Sequence, residues 1–140
     1  MDKFAMIIFG ASGDLTKRKL MPALYSLFRE KRLTGDFHIL GIGRTIYSDE
    51  DYRSYISGEL RTFVKSEEQD AALMEAFISH LCYLPMDPAK EEGYAMLRQR
   101  LVELTNEVDP DNLLFYLATP PSLYGVVPLH LKAAGLNTPH

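Results

Sequence analysis

The stretch Phe4-Ala5-Met6-Ile7-Ile8-Phe9-Gly10-Ala11-Ser12-Gly13-Asp14-Leu15 decides the fold, because a continuous apolar run meets a glycine-containing turn. Six successive apolar residues, Phe4–Phe9, are typical of a strand buried on both faces of a parallel sheet. After the turn, apolar residues recur at helical spacing, at Leu20, Leu24, Leu27 and Phe28. Pro22 predicts a kink or a restart in that helix, since proline lacks an N–H. The stretch therefore predicts a buried strand, a tight turn and an amphipathic helix.

The same alternation continues along the chain. Further strands are predicted at residues 37–42, 81–84 and 113–118. Helix starts are predicted at Ser48 before three acids, at Ser66 with Gln69 as a capping box, and at Asp87-Pro88. The third of these helices has its apolar face at Leu97, Leu101, Leu104 and Val108. A last helix is predicted over residues 123–134, ending at Gly135. Alternating strands and helices predict an α/β fold with a Rossmann-type, doubly wound parallel sheet.

Composition narrows the class of protein. The chain has 140 residues, 46% of them apolar, which suits one domain with a real core. The net charge of −4 gives no support to nucleic-acid binding. The N-terminal apolar run is too short for a signal sequence or a membrane span. Cys82 is the single cysteine, which gives no sign of an oxidising compartment, so we expect a cytoplasmic protein without nucleic-acid or membrane partners.

The turn at Gly10-Ala11-Ser12-Gly13 lies where an α/β fold can bind a phosphate group. Glycines allow the backbone to approach a ligand closely, and a helix N-terminus offers free N–H groups to an anion. The spacing is G-x-x-G without a following Gly-Lys-Ser/Thr, so a Walker P-loop is excluded. Because any tight strand-to-helix turn favours glycine, a purely structural turn is the alternative.

The end of the second strand carries the second signal. NAD-binding domains usually place an acid there to accept hydrogen bonds from the ribose. This strand ends in Gly41-Ile42-Gly43-Arg44-Thr45, with no acid and with an arginine. Arg44 can direct two N–H groups at a 2′-phosphate, which predicts NADP; a solvated surface arginine is the alternative.

The basic triplet Lys17-Arg18-Lys19 is unusual in a first helical turn, where the helix dipole disfavours cations. A nearby anionic ligand would explain it, and an exposed basic face is the alternative. Asp14 is most simply an N-cap, and no catalytic role is assigned to it.

Three separated motifs resemble the N-terminal part of the glucose-6-phosphate dehydrogenase family. They are Phe9-Gly10-Ala11-Ser12-Gly13-Asp14-Leu15-Thr16-Lys17-Arg18-Lys19-Leu20 with Pro22, then Gly43-Arg44, then Leu117-Ala118-Thr119-Pro120-Pro121 with Tyr124. Thr16 stands where many members carry alanine. Found in this order, the motifs cover nearly the whole chain.

The resemblance implies an NADP site and roles for particular residues in it. The pyrophosphate would lie on the turn formed by Gly10, Ala11, Ser12, Gly13, Asp14 and Leu15. Ser12 and Arg44 would hold the 2′-phosphate. Met86 and Asp87 would border the adenine.

At the other end of the cofactor, the resemblance places Ala118, Pro120 and Tyr124 beside the nicotinamide, and Lys19 facing the substrate. The implied reaction is hydride transfer from C1 of glucose 6-phosphate to NADP, giving 6-phosphogluconolactone. The full-length enzyme would act in the pentose phosphate pathway and form a homo-oligomer.

The histidine-containing substrate segment of the family does not occur in the sequence. The histidines His38, His80, His130 and His140 lie in no such context, so no catalytic residue is assigned. We therefore expect residues 1–140 to form a cofactor domain that is incomplete at its C-terminal end and inactive without a substrate domain. We also expect an exposed apolar surface at an open sheet edge. A stand-alone NADP-binding module and a structural domain with a vacant turn are the alternatives.

Overall fold

The computed structural model describes residues 4–106 and 110–136. Within them, the strands are β1 (Phe4–Phe9), β2 (Phe37–Gly43), β3 (Leu81–Pro85) and β4 (Leu113–Leu117). They pair in parallel in the order β3-β2-β1-β4. From β1 the chain adds β2 and β3 on one side and then returns to add β4 on the other side of β1. The switch point, where ligands bind in open α/β sheets, therefore lies between β1 and β4.

The described helices are α1 (Met21–Arg29), α2 (Asp49–Phe63), α3 (Ala71–Ile78), α4 (Glu92–Thr105) and α5 (Val126–Ala133). Side chains of α1, α2 and α3 pack on one face of the sheet, for example Tyr25, Ile56 and Phe77. Those of α4 and α5 pack on the other face, for example Leu97 and Leu131. Because helices cover both faces, the predicted doubly wound α/β fold is confirmed.

The region before α1 shows how the chain accommodates Pro22. A π-helical turn, Thr16–Leu20, leads directly into α1 at Met21. Pro22 then lies in the first turn of α1, and the turn before it is π-helical, so the missing N–H falls where the α-helical hydrogen-bond pattern restarts. The predicted restart is confirmed. The N-cap prediction for Asp14 is wrong, because Asp14 already lies within the helical segment and its carboxylate accepts no hydrogen bond from a described backbone N–H. The carboxylate instead lies 3.6 Å from Lys17 Nζ and 3.6 Å from Arg18 Nε.

Two predicted helix starts are also wrong. Ser66 and Gln69 do not form a capping box; Ser66–Glu68 is a short 3₁₀ turn, and Gln69 Nε2 donates to the Val64 carbonyl at 2.8 Å. Asp70 caps α3 instead, accepting from the N–H groups of Ala72 and Leu73 at 3.0 and 3.1 Å. A side chain that can satisfy two free N–H groups at once is the stronger cap.

The helix predicted to start at Asp87-Pro88 begins only at Glu92. Asp87 Oδ1 accepts from the Ala89 N–H at 2.9 Å, so this acid closes a local turn. Leu97 and Leu101 are buried as predicted, and Val108 lies outside the described residues. The last predicted helix is divided: a 3₁₀ turn, Pro121–Leu123, precedes α5, and Gly135 follows with φ 73° as expected of its cap.

The two sheet edges differ. On β3, Arg53 Nε donates to the Leu81 carbonyl at 2.7 Å, and Asp49 accepts from the Tyr83 N–H at 2.8 Å. On β4, Leu114 is 55% exposed and Tyr116 is 37% exposed. The expected exposed apolar surface is therefore found on β4. No helix in the described part of the chain is both long and apolar enough to cross a membrane.

Candidate functional site

A cleft of about 550 Å³ opens at the carboxyl ends of the four strands. This volume is in the range of small-molecule and cofactor sites, which is about 300–1,000 Å³. Loops after each strand contribute to the cleft, so residues far apart in sequence meet there. The lining residues are Gly10, Ser12, Gly13, Gly43, Arg44, Thr45, Asp87, Pro88, Ala89, Ala118, Thr119, Pro120, Ser122 and Leu123.

The first turn, residues 10–15, is fixed by backbone contacts. The N–H groups of Gly10 and Ala11 both donate to the Ile42 carbonyl, at 2.9 and 3.0 Å. Gly10 has φ 91°, and a Cβ there would lie 2.3 Å from the Ala118 carbonyl oxygen. Gly10 is therefore required by the fold itself, whatever the cleft binds.

Gly13 has a different role in the first turn. It is exposed and lines the cleft, and a Cβ there would meet only the Gly10 carbonyl oxygen, at 3.4 Å. That distance is an ordinary contact, so the protein itself has room for a side chain. A glycine here is better explained by close approach of a ligand to the backbone.

Hydroxyl groups hold the carbonyls of the first turn. Thr16 Oγ1 donates to the Gly10 carbonyl at 2.8 Å and Tyr52 Oη donates to the Ala11 carbonyl at 2.9 Å. Tyr55 Oη donates to the Ser12 carbonyl at 3.2 Å. Because their acceptor groups are occupied by the protein, these peptide units are held in one orientation. Sequence reasoning did not identify the two tyrosine hydroxyls, because no motif connects α2 with a turn some forty residues earlier, and it noted Thr16 only as a departure from the family pattern.

The second turn, residues 44–47, presents Arg44 to the cleft. Its side chain is exposed, and no carboxylate of the described residues forms an ion pair with it. The next acid along the chain, Asp49, is engaged by the Tyr83 N–H and by Arg100. The guanidinium is therefore available to an anion from the cleft.

The buried Tyr83 side chain holds the second turn, because its hydroxyl donates to the Thr45 carbonyl at 2.6 Å. Burial, and then the neighbouring Tyr47, raises the pKa of Tyr83 to about 12. Burial also raises the pKa of Tyr52, with Tyr83 the next contributor. Both hydroxyls therefore keep their protons at neutral pH and remain hydrogen-bond donors.

The loop after β3 borders a second, neighbouring hollow of about 420 Å³. Its lining residues are Arg44, Ile46, Pro85, Met86 and Asp87. Asp87 borders both this hollow and the cleft. Met86 is mostly buried at 8% exposure, and a Cβ on Gly93 would lie 2.8 Å from its methyl group. Met86 can therefore form the floor of the hollow, while Asp87 lies between the two spaces.

The loop after β4 contributes Ala118, Thr119 and Pro120 to the lining of the cleft. The Thr119 hydroxyl is buried and makes no hydrogen bond with any described residue. A buried hydroxyl without a partner is costly, so this group fits a ligand with a polar function at that end of the cleft. The sequence did not predict a role for Thr119 in the site, because nothing in the pattern distinguishes it from its neighbours.

Several predicted residues lie outside the cleft lining. The side chain of Ala11 is fully buried, so only its backbone can serve the site. The others are exposed to solvent and are not among the residues that line the cleft: Asp14, Leu15, Lys19 and Tyr124. Their roles stay predictions.

The basic triplet is partly explained within the protein. Lys17 and Arg18 are neighbours of the Asp14 carboxylate, and the Arg18 guanidinium lies 5.2 Å from the centre of the Phe63 ring. Contacts with an acid and an aromatic ring stabilise exposed cations modestly without any ligand. For Lys17 and Arg18 a ligand is therefore not needed, and Lys19 is left as the candidate.

The described histidines do not line the cleft. His80 stacks on Phe37 at 3.8 Å, and its Nδ1 lies 2.9 Å from the Phe37 carbonyl oxygen. His130 stacks on Tyr94 at 4.9 Å. His140 lies outside the described residues. The described residues also contain no group of three or more His, Cys, Asp or Glu side chains that could hold a metal ion.

Comparison with known proteins agrees with this geometry. Residues 7–140 match the family model for the NAD binding domain of glucose-6-phosphate dehydrogenase. Glucose-6-phosphate 1-dehydrogenase of Aggregatibacter actinomycetemcomitans is 46% identical over 133 residues, which are 94% of this chain and 26% of that enzyme. The Leuconostoc mesenteroides enzyme is 32% identical over 135 residues, which are 96% of this chain and 27% of that enzyme.

A solved glucose-6-phosphate dehydrogenase in complex with glucose 6-phosphate has the same fold, with a TM-score of 0.81 and 36% identity. The match covers 95% of this chain and 28% of that structure. This chain thus spans about a quarter of the length of the relatives it matches. The resemblance found in the sequence is confirmed: the chain belongs to the family of glucose-6-phosphate dehydrogenase NAD-binding domains.

Proposed function

We propose that this chain is the NADP-binding domain of a glucose-6-phosphate dehydrogenase, which oxidises glucose 6-phosphate to 6-phosphogluconolactone. The family supports nicotinamide-cofactor binding, and Arg44 carries the choice of NADP. It is exposed, lines the cleft and follows directly on β2, where an NAD-binding domain would place an acid. A 2′-phosphate is the feature of NADP that such an arginine recognises.

The phosphate groups would lie along the two turns. Gly13 leaves room for the pyrophosphate beside the first turn, and the start of the following helix favours an anion there. Ser12 lies next to the end of β2, since its Oγ is 3.7 Å from the position of a Cβ on Gly43. Ser12 and Arg44 are therefore close enough in the fold to share one phosphate group.

The nicotinamide would lie at the loop after β4, between Ala118 and Pro120. The unpartnered Thr119 hydroxyl there can hydrogen-bond a carboxamide. When bound, NADP supplies the hydride acceptor, while the protein binds and orients it. None of the four histidines is proposed as the base. We place the protein in the cytoplasm, in keeping with Cys82, which is a buried free thiol.

The first experiment is titration of the protein with NADP, followed by calorimetry and by amide NMR shifts. We expect binding, with the largest shifts at Ser12, Arg44 and Thr119. Thr119→Val, which removes the hydroxyl and keeps the shape, is expected to weaken NADP binding by about three- to tenfold, the worth of one hydrogen bond. Absence of binding, or shifts confined to α3, would contradict the proposed site.

The second experiment asks whether the 140 residues catalyse the reaction. With glucose 6-phosphate and NADP at high protein concentration, we expect no NADPH, because the sequence lacks the histidine-containing substrate segment of the family and no described histidine lines the cleft. Robust turnover would show that a histidine has been wrongly dismissed.

A further inference from the structure

We propose that Tyr52 and Tyr83 are positioning residues that control the two halves of the cofactor site separately. Tyr52 sets the first turn, and Tyr83 sets the second turn that carries Arg44. Neither side chain lines the cleft, so each acts through the backbone that it holds. The inference rests on the proposed NADP-binding function.

The two tyrosines lie side by side beneath the turns. Their ring centres are 4.8 Å apart, and both side chains are buried, at 0% and 3% exposure. Their hydroxyls nevertheless reach different carbonyls, Ala11 at 2.9 Å and Thr45 at 2.6 Å. The two neighbouring tyrosines thus support two different loops that both line the cleft.

The glycines of β2 make room for these hydroxyls. A Cβ on Gly41 would lie 2.6 Å from Ala11 Cβ and also 3.1 Å from Tyr52 Oη, and one on Gly43 would lie 2.8 Å from Tyr83 Oη. All three distances are shorter than an ordinary contact with a side chain. The motif Gly41-Ile42-Gly43 is therefore explained in part by the tyrosines, and not only by proximity to a cofactor.

The hydrogen bonds fix the direction of the peptide groups. In a planar trans peptide, the carbonyl and the following N–H point in opposite directions. A hydroxyl that holds the Ala11 carbonyl from behind therefore also fixes the N–H of Ser12, which lines the cleft. In the same way, Tyr83 fixes the N–H of Ile46 and limits the movement of the backbone next to Arg44.

Because Tyr52 and Tyr83 hold different turns, loss of each hydroxyl should affect the two cofactors differently. The pyrophosphate is common to NAD and NADP, while the 2′-phosphate occurs only in NADP. Loss of the Tyr52 hydroxyl should therefore weaken both cofactors equally. Loss of the Tyr83 hydroxyl should weaken NADP and leave NAD nearly unchanged.

The test measures the dissociation constants of both cofactors for Tyr52→Phe, Tyr83→Phe and the control Tyr25→Phe. Tyr25 is a matched control, because it is equally buried and its hydroxyl donates to a backbone carbonyl, that of Glu68, at 2.9 Å, away from the cleft. We expect losses of about three- to tenfold in both cofactors for Tyr52→Phe and in NADP only for Tyr83→Phe. For Tyr25→Phe we expect a lower melting temperature with unchanged affinities.

A second measurement needs no cofactor. In the free protein, Tyr52→Phe should speed hydrogen exchange or shift the resonance at the Ser12 amide, and Tyr83→Phe should do so at the Ile46 amide. If the wild-type protein binds cofactor but both variants behave like Tyr25→Phe in affinity and at these amides, the positioning roles are overturned while the proposed function stands. If the wild type binds neither cofactor, the proposed function fails and the inference with it. Equal losses of NAD and NADP in Tyr83→Phe would overturn the separation.

Discussion

The first and second turns both face the cleft, but they are built in opposite ways. The first turn is made of backbone, with Gly10 pressed against the Ala118 carbonyl and its own carbonyls held by buried hydroxyls. The second turn relies on one exposed side chain, Arg44, above a single buried hydrogen bond from Tyr83. Changes in the first turn should therefore affect folding and every cofactor, whereas changes at Arg44 should affect one cofactor and leave folding unaltered.

The comparison also separates the two glycines of the G-x-x-G pattern. Gly10 has a positive φ and a backbone neighbour too close for any side chain, while Gly13 has space on the protein side. The G-x-x-G motif thus contains Gly10, which the fold requires, and Gly13, at which the fold has room for a side chain. Substitutions can test the two roles independently.

The largest effect is expected for Gly10→Ala. The added Cβ would be strained at φ 91° and would lie 2.3 Å from the Ala118 carbonyl oxygen, so β1 and β4 would have to separate. We expect a loss of about 2–5 kcal/mol in the free energy of unfolding, measured by urea denaturation. Gly135→Ala is the control, since its φ is also positive, 73°, but its nearest neighbour is the flexible Arg98 side chain. Its expected cost is about 1–2 kcal/mol. Equal costs would show that the contact with Ala118 is unimportant.

A smaller effect, confined to binding, is expected for Gly13→Ala. The methyl group meets only the Gly10 carbonyl oxygen at an ordinary distance, so the melting temperature should be nearly unchanged. Affinity for NAD and NADP should fall together, by about ten- to hundredfold, because the methyl group enters the space of the pyrophosphate. Gly125→Ala, where a Cβ meets no atom within 4 Å, is the neutral control. A stable variant with unchanged affinity would exclude the first turn from the pyrophosphate site.

The smallest effect is expected for Thr16→Ala. Its hydroxyl is one of two donors to the Gly10 carbonyl, which also accepts from the Gly13 N–H at 3.1 Å. We expect a loss of about 1 kcal/mol in the free energy of unfolding and affinities within about twofold of wild type. Thr105→Ala, which also removes a buried hydroxyl that donates to a carbonyl at 2.8 Å, is the stability control in α4. A tenfold loss of cofactor affinity in Thr16→Ala alone would mean that the first turn depends on this side chain.

Much of this architecture could be predicted from the sequence. Continuous apolar strands, such as Phe4–Phe9, and glycine at a strand-to-helix turn are local signals, and both led to the correct fold. The helix start at Ser66 was wrong because Asp70, another polar residue nearby, caps α3 instead, and the start at Asp87 was wrong because its carboxylate closes a local turn. Which one caps a helix depends on where the helix packs, and that is a tertiary effect.

The support beneath the site could not be predicted for a related reason. Tyr52 is 41 residues from Ala11 in sequence, and Tyr83 is 38 residues from Thr45. In a single sequence, a buried tyrosine at helical or strand spacing is indistinguishable from any other core aromatic. The sequence can therefore identify a group that lines the cleft, such as Arg44, but not a buried hydroxyl that holds a neighbouring carbonyl.

The first turn is expected to serve both cofactors, and the second turn is expected to select NADP. This difference is tested most directly at Arg44. Calorimetry with NADP and with NAD should be carried out on the wild type, on Arg44→Ala and on Arg44→Lys, with Arg32→Ala as an exposed-arginine control outside the cleft. A charge-assisted hydrogen bond contributes about 1.5–3 kcal/mol, so Arg44→Ala should weaken NADP by about ten- to hundredfold. Arg44→Lys should recover only part of this loss, because lysine lacks the paired N–H groups.

NAD affinity and the melting temperature should be unchanged in Arg44→Ala, since the guanidinium forms no ion pair with a described carboxylate. A larger loss is expected for Arg44→Asp, which would repel the 2′-phosphate and offer the ribose an acceptor. Equal weakening of NAD and NADP by Arg44→Ala would instead show that Arg44 serves the structure and that the choice of cofactor depends on other residues, Ser12 or Lys19.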